Sequence, residues 1–126
     1  PPSLGLLTLN ALTAADSVLI PIQCEYFAME GLTQMIEVIK RVMKTRENQL
    51  EFGGILLTMY DDSLELTREV DAEVRDFFGE IVFDSVVPRD VAVSESPSHG
   101  KSVLSYAPRS RGARAYVELC LEILEA

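Results

Sequence analysis

Tryptophan is absent from the 126 residues, histidine occurs once and cysteine twice. Each scarcity removes a class of chemistry. The lone histidine, His99, has no spaced partner with which to ligate a metal or relay a proton, and reads as a loop residue. No Ser/His/Asp or Cys/His triad can be argued from these residues. Cys24 and Cys120 stand far apart, without metal or redox spacing and in apolar surroundings. Both are expected to be buried, reduced thiols of a cytoplasmic protein. Positive charge is also short: 11 Lys and Arg against 20 Asp and Glu leave a net charge of −9. Such a chain repels nucleic acid and anionic membrane unless it keeps a local basic patch. No apolar run approaches the roughly 20 residues that span a bilayer. No signal peptide, repeat or low-complexity segment is read. Hydrophobic residues make up 48%, which is ordinary and suits one domain with a core.

The chain opens Pro1-Pro2-Ser3-Leu4-Gly5, with no methionine and no leading strand. Proline costs a helix little in its first turn, and Ser3 is the expected N-cap. The chain is therefore expected to begin partway through an α/β unit, with residues 1–126 forming a single segment. A helix is predicted over Leu4–Ala15, then a buried strand over Ser17–Ile22. The clearest helix runs from Tyr26 to Lys44, with Met29, Leu32, Met35, Ile36, Ile39, Val42 and Met43 at helical spacing. A second strand is predicted over Phe52–Met59. The helix Leu64–Phe78 is expected to bury Leu66, Val70, Val74 and Phe77, with Gly79 closing it. Ile81–Val87 reads as a third strand and 90–100 as a polar loop with one helical turn. A last helix, Arg111–Leu124, is expected to turn Ala113, Tyr116, Val117, Cys120, Ile123 and Leu124 inward. Strands alternating with helices predict an α/β fold, a parallel sheet with helices on both faces in three layers. Three strands are few, and further strands are expected upstream.

In open parallel sheets, ligands sit beyond the carboxyl ends of the strands. Three polar, carboxylate-bearing segments fall there: Gln23-Cys24-Glu25, Thr58-Met59-Tyr60-Asp61-Asp62 and Pro88-Arg89-Asp90. Ordinary strand-to-helix loops are polar too, so these residues alone indicate a carboxyl-end site without a named ligand.

At these residues the sequence resembles ParA/Soj-type chromosome- and plasmid-partitioning ATPases. The resemblance is carried by Pro1 to Leu12, by Ile20-Pro21-Ile22-Gln23-Cys24-Glu25-Tyr26 and onward to Leu32, and by Leu57-Thr58-Met59-Tyr60-Asp61. It continues through Val87-Pro88-Arg89-Asp90-Val91, Ser94-Glu95-Ser96-Pro97-Ser98-His99-Gly100-Lys101 and Tyr106-Ala107-Pro108-Arg109-Ser110-Arg111-Gly112-Ala113. The resemblance implies a deviant-Walker P-loop ATPase, in a group with MinD-like and nitrogenase iron protein-like members. It implies ATP and Mg²⁺ as cofactors, an ATP-bound homodimer, slow hydrolysis stimulated by a ParB-like centromere-binding partner, and non-specific DNA association. The family's phosphate loop, Lys-Gly-Gly-x-Gly-Lys-Thr, does not occur in these residues. The segment is therefore expected to correspond to the C-terminal half of the domain, without the Mg²⁺ ligands, and not to hydrolyse ATP alone.

The resemblance assigns the adenine side to Thr58, Met59, Pro88, Arg89 and Asp90. Asp90 stands where most ParA-like chains carry Asn, and can accept from the exocyclic amine. Glu25 matches a carboxylate near the dimer interface, facing the partner's phosphate loop. The structural alternatives are that Pro88 merely ends a strand, Met59 is core and Glu25 is a solvated charge. Ser63 and Ala92 occupy positions where relatives often carry the arginines that meet DNA, so DNA binding is expected to be weak and salt-sensitive or absent. The remaining cations cluster as Lys40, Arg41, Lys44 and Arg46, which suit a helix end, and as Arg109, Arg111 and Arg114, a candidate DNA or partner patch. The acidic stretch Glu118 to Ala126, unlike the basic membrane helix of MinD-like relatives, is expected to be repelled by an anionic membrane. The expected parent is a bacterial cytoplasmic, nucleoid-associated ATPase. The rival reading is a non-catalytic interaction or scaffold module derived from the same fold.

Overall fold

A computed structural model describes residues 3–45 and 50–125. Pro1, Pro2 and Arg46 lie outside the described residues. Three strands form one parallel sheet in the order β1 (Ser17–Gln23), β2 (Glu51–Tyr60), β3 (Val82–Pro88). Six α-helices accompany them among the described residues: α1 (Leu6–Ala14), α2 (Ala28–Thr45), α3 (Glu65–Phe78), α4 (Val91–Glu95), α5 (Val103–Tyr106) and α6 (Arg111–Glu125).

The middle strand explains the layering. Ile55 and Leu57 point to one face, where they pack with Leu32, Ile36, Ile39 and Val42 of α2 and Val70 and Val74 of α3. Leu56 points the other way and packs with Phe83, Val87 and, from α6, Ala115 and Leu119. A continuously apolar strand is what burial on both faces requires. The three-layer parallel α/β arrangement expected from the periodicity is the one observed.

Several local expectations were overturned. Ser3 does not cap α1; the helix starts at Leu6 after Gly5, with no side-chain cap, and the Ser3 carbonyl accepts the Thr8 hydroxyl at 2.9 Å. Gly79 is not a left-handed cap, because its backbone is right-handed (φ −47°) and α3 runs straight into a 3₁₀ turn at Gly79–Ile81. On α3, Leu66 and Phe77 are exposed, while Thr67 is buried with Val70 and Val74. The polar stretch 90–100 holds two short helical pieces, α4 and Ser96–His99, followed by α5. Asp90 and Ser102 start α4 and α5 with side-chain caps, a local signal in a stretch without apolar period.

The last helix is rotated from the expected setting. Ala115 and Leu119 face the sheet, whereas Val117 is 47% exposed, Leu124 is 80% exposed and Cys120 is exposed. Glu122 explains the choice. Against β2, the segment of β3 from Val82 to Val86 is longer than its partner segment, Ile55 to Leu57, so β3 bulges there. The bulge frees the N–H groups of Asp84 and Ser85, and both donate to the Glu122 carboxylate, at 2.7 and 2.8 Å. Turning α6 to satisfy two backbone donors leaves its second apolar face in solvent.

Burial would raise the Glu122 carboxyl pKa, but the bonds from Ser85 and Asp84 outweigh burial and hold it below the ordinary value. A depressed carboxylate stabilises the fold above its unfolded pKa and loses that contribution as pH falls through the folded one. Glu122→Gln is thus expected to lower the melting temperature at neutral pH and to flatten its decline on acidification. Melting curves from about pH 7 to pH 3 test this, and an unchanged acid slope would contradict it.

Candidate nucleotide-binding site

The carboxyl ends of β2 and β3 bring five of the predicted residues together. Tyr60 pairs with Pro88 at the end of the sheet, and the Arg89 N–H donates to the Tyr60 carbonyl at 2.9 Å. This bond carries the pairing one residue past the strand, so the loops 58–62 and 88–90 lie side by side. Thr58 is turned toward β1: its hydroxyl donates to the Ile22 carbonyl at 3.1 Å, and its own carbonyl accepts the Cys24 N–H at 3.2 Å. Met59 is 37% exposed and Arg89 is exposed, while Pro88 and Asp90 are half-buried.

Asp90 has a structural task that sequence reasoning did not assign. One carboxylate oxygen accepts the Ala92 N–H at 3.0 Å and caps α4. The other accepts the Gly112 N–H at 2.8 Å, at the start of α6. Gly112 is needed for this approach, since a Cβ there would lie 2.4 Å from Val93 and 3.2 Å from Asp90 Oδ2. Asp90 therefore ties the loop after β3 to α6 across 22 residues.

That tie brings in the arginines. Arg111 and Arg114 line a groove of about 300 Å³ with Tyr60, Asp62, Pro88 and Glu118. The Asp61 carboxyl is held below its ordinary value, first by the Ser63 hydroxyl and N–H and further by the charges of Arg89 and Arg111. Arg109 is exposed ahead of α6. The spacing that suggested a separate patch concealed that Arg111 and Arg114 border the predicted base-side residues. Ser63 is taken up by Asp61, which accepts its hydroxyl at 2.6 Å and its N–H at 3.1 Å. Ala92 is half-buried in the first turn of α4.

Glu25 is not part of this groove. It is exposed at the end of β1 and borders a groove of about 890 Å³ along β1 and α2, with Leu4, Ile20, Phe27 and Met35. Lys40 sits at the opposite end of the sheet, in a hollow of about 540 Å³ with Phe52 and Phe77. Cys24 is buried as expected, and burial, with the Asp71 charge, pushes its thiol up to about 11. His99 stacks on Tyr106 at 4.6 Å, and the Tyr106 hydroxyl donates to Glu95 at 2.9 Å.

The donor set fits one half of a nucleotide. Exposed Met59 and Arg89 beside half-buried Pro88 and Asp90, with a bordering groove, suit a purine base. Among the described residues there is no group of three or more His, Cys, Asp or Glu that could hold a metal ion. Among them, too, no helix is long and apolar enough to cross a membrane.

Residues 1–52 match the family model described as an AAA domain (AAA_31). Across 98% of its length the chain is 51% identical to the sporulation initiation inhibitor protein Soj of Bacillus subtilis, covering 49% of it. It is 50% identical to the chromosome partitioning protein ParA of Caulobacter vibrioides, covering 98% of the chain and 46% of the relative. The chain belongs to the ParA/Soj family. It spans about half the length of the curated relatives it matches. Among solved structures, cobyrinic acid a,c-diamide synthase from Mycobacterium smegmatis with bound ADP and magnesium superposes with a TM-score of 0.70 at 36% identity. That match covers 94% of the chain and 41% of the synthase. The cell division ATPase MinD of Pyrococcus furiosus shares the fold, with a TM-score of 0.78 at 24% identity, over 99% of the chain and 49% of MinD. The chain's parallel, helix-covered sheet is thus that of the P-loop NTPase-like fold.

Proposed function

We propose that this ParA/Soj segment is the base-side half of a partitioning ATPase domain, the C-terminal half that lacks the phosphate loop. The parent protein would segregate chromosome or plasmid DNA as an ATP-bound homodimer with a ParB-like centromere-binding partner, in the bacterial cytoplasm. The observation that carries the reading is identity of about one half to Soj and ParA across nearly the whole chain. A 36% identical neighbour that holds ADP and magnesium supports the cofactors. ATP would supply the phosphoryl chemistry when bound, with its Mg²⁺ ligands outside this segment.

In this reading, Met59 and Pro88 flank the base, Thr58 holds the first loop to β1 through its hydroxyl and its carbonyl, and the Arg89 N–H holds the two loops together. Asp90 uses two of the about four lone-pair sites of a carboxylate on Ala92 and Gly112, which leaves capacity for the exocyclic amine. Glu25, exposed on the β1 side, is assigned to the dimer interface near the phosphates. Arg109, Arg111 and Arg114 form the remaining cationic patch. A second reading, a non-catalytic scaffold, is favoured by Ser63 and Ala92, which place no cation where relatives often have arginine.

Calorimetry of the full-length protein is expected to show ATP binding in the presence of Mg²⁺, with hydrolysis stimulated by the centromere-binding partner. The 126-residue chain alone is expected to turn over none. DNA association of the ATP-bound form is expected to be weak and to fade steeply with salt. Absence of ATP binding in the full-length protein would favour the scaffold. Tight DNA binding at physiological salt would point to Arg109, Arg111 and Arg114.

A further inference from the structure

Among the described residues, Met59 is the non-glycine residue with a left-handed backbone, φ +52°. Sterics disfavour that conformation about five- to thirtyfold in an ordinary L-residue. It persists where the surroundings over-determine it.

The neighbours on either side do so. Before Met59, Thr58 is held twice, by its hydroxyl on Ile22 and by its carbonyl on the Cys24 N–H. After it, Tyr60 is held twice, by its carbonyl on the Arg89 N–H and by its phenol, which donates to Asp71 Oδ2 at 2.5 Å. Asp71 is itself oriented by Arg75, whose Nε–H donates to Oδ1 at 2.6 Å. Leu57 pairs with Val86 but Tyr60 pairs with Pro88, so β2 carries one surplus residue between them. A bulge of this kind re-aims a side chain, and Met59 within it is turned out of the strand. The Asp71 hydrogen bond, and then burial, push the Tyr60 phenol up to about 12, so the donor proton is retained at neutral pH.

We propose that Tyr60, Asp71 and Arg75 form a positioning lock that holds Met59 in its left-handed bulge as a preformed wall of the base pocket. The proposal rests on the nucleotide reading above. A wall that is formed before binding spares the ligand the loss of affinity that a rarely populated pocket imposes. None of the three residues needs to touch the nucleotide; they act through the backbone of Met59.

The test is calorimetric titration of the full-length protein with ATP and with tripolyphosphate, which has no base. Tyr60→Phe and Asp71→Ala are each expected to weaken ATP binding about five- to thirtyfold and to leave tripolyphosphate unchanged. The double variant is expected to be no weaker than either single one, because both open the same lock. Met59→Gly makes the left-handed backbone free of strain, so adding Tyr60→Phe to it should change ATP affinity little. Equal weakening of both probes would mean general loss of structure and would overturn the lock. Unchanged ATP affinity in Tyr60→Phe, beside a wild type that binds ATP, would overturn it as well. A wild type that binds tripolyphosphate but not ATP would overturn the base-side reading itself, and the lock with it.

Discussion

Gly54→Ala is expected to destabilise the fold by about 3 kcal/mol or more, a large share of the roughly 5–15 kcal/mol that holds a domain folded. Two independent costs meet at this position. The backbone of Gly54 has φ +144°, where a side chain is strained whatever space surrounds it. A Cβ would also stand 2.3 Å from Cζ of Phe83, whose ring is buried between β2 and α6. The glycine is at the irregularity where Val18 pairs with Phe52 but Leu19 pairs with Gly54. The ring of Phe83 lies on the space that the missing side chain leaves. The double variant Gly54→Ala/Phe83→Leu should recover the overlap and not the backbone strain, so its melting temperature should fall between those of Gly54→Ala and the wild type. A melting temperature of Gly54→Ala within about a degree of the wild type would contradict the account, since 1 kcal/mol already shifts a domain of this size by several degrees.

Asp90→Ala is the second large effect, expected at about 2.5–3 kcal/mol. Loss of the cap on α4 accounts for about 1 kcal/mol. The Gly112 N–H, in a buried residue, then loses a charged acceptor, which adds about 1.5–2 kcal/mol. Asp90→Asn separates the structural task from the proposed nucleotide one. An amide oxygen can keep one of the two backbone donors, so about half of the stability lost in Asp90→Ala should be retained. If Asp90 also accepts the base amine, ATP affinity should fall further in Asp90→Asn than its stability loss alone explains, and the preference for ATP over GTP should narrow. Denaturant midpoints at unchanged slope give the first quantity, and paired ATP and GTP titrations give the second. Unchanged stability in Asp90→Ala would show that α4 and α6 are not joined through this carboxylate.

These two residues mark where the sequence could be read and where it could not. Gly54 was legible as a glycine near the start of an apolar strand, but nothing local showed that Phe83, 29 positions on, would occupy its face. Asp90 was legible as a polar residue beyond a strand end and as a match to a family motif. Its Gly112 partner depends on how α6 returns to the sheet. Tyr60 read as a residue of a carboxyl-end loop, and its bond to the Asp71–Arg75 pair of α3 depends on how that helix packs on the sheet. Cys120 and Val117 were placed inward from helical period alone. Period identifies an apolar stripe without stating which of two stripes the sheet will take. On α6 two backbone donors freed by the β3 bulge settled that in favour of Glu122.

By itself the sequence determined the strands, the face of α2 and the α/β class, because apolar spacing is a local property that any packing must respect. It also carried the ParA/Soj motifs, because those are strings of neighbouring residues. The tertiary structure alone decided the setting of α6, the left-handed Met59, the double duty of Asp90 and the approach of Arg111 and Arg114 to the loops after β2 and β3. Each of these depends on atoms brought together from distant parts of the chain, where hydrogen-bond geometry and steric overlap act over a few ångströms and leave no trace in residue order.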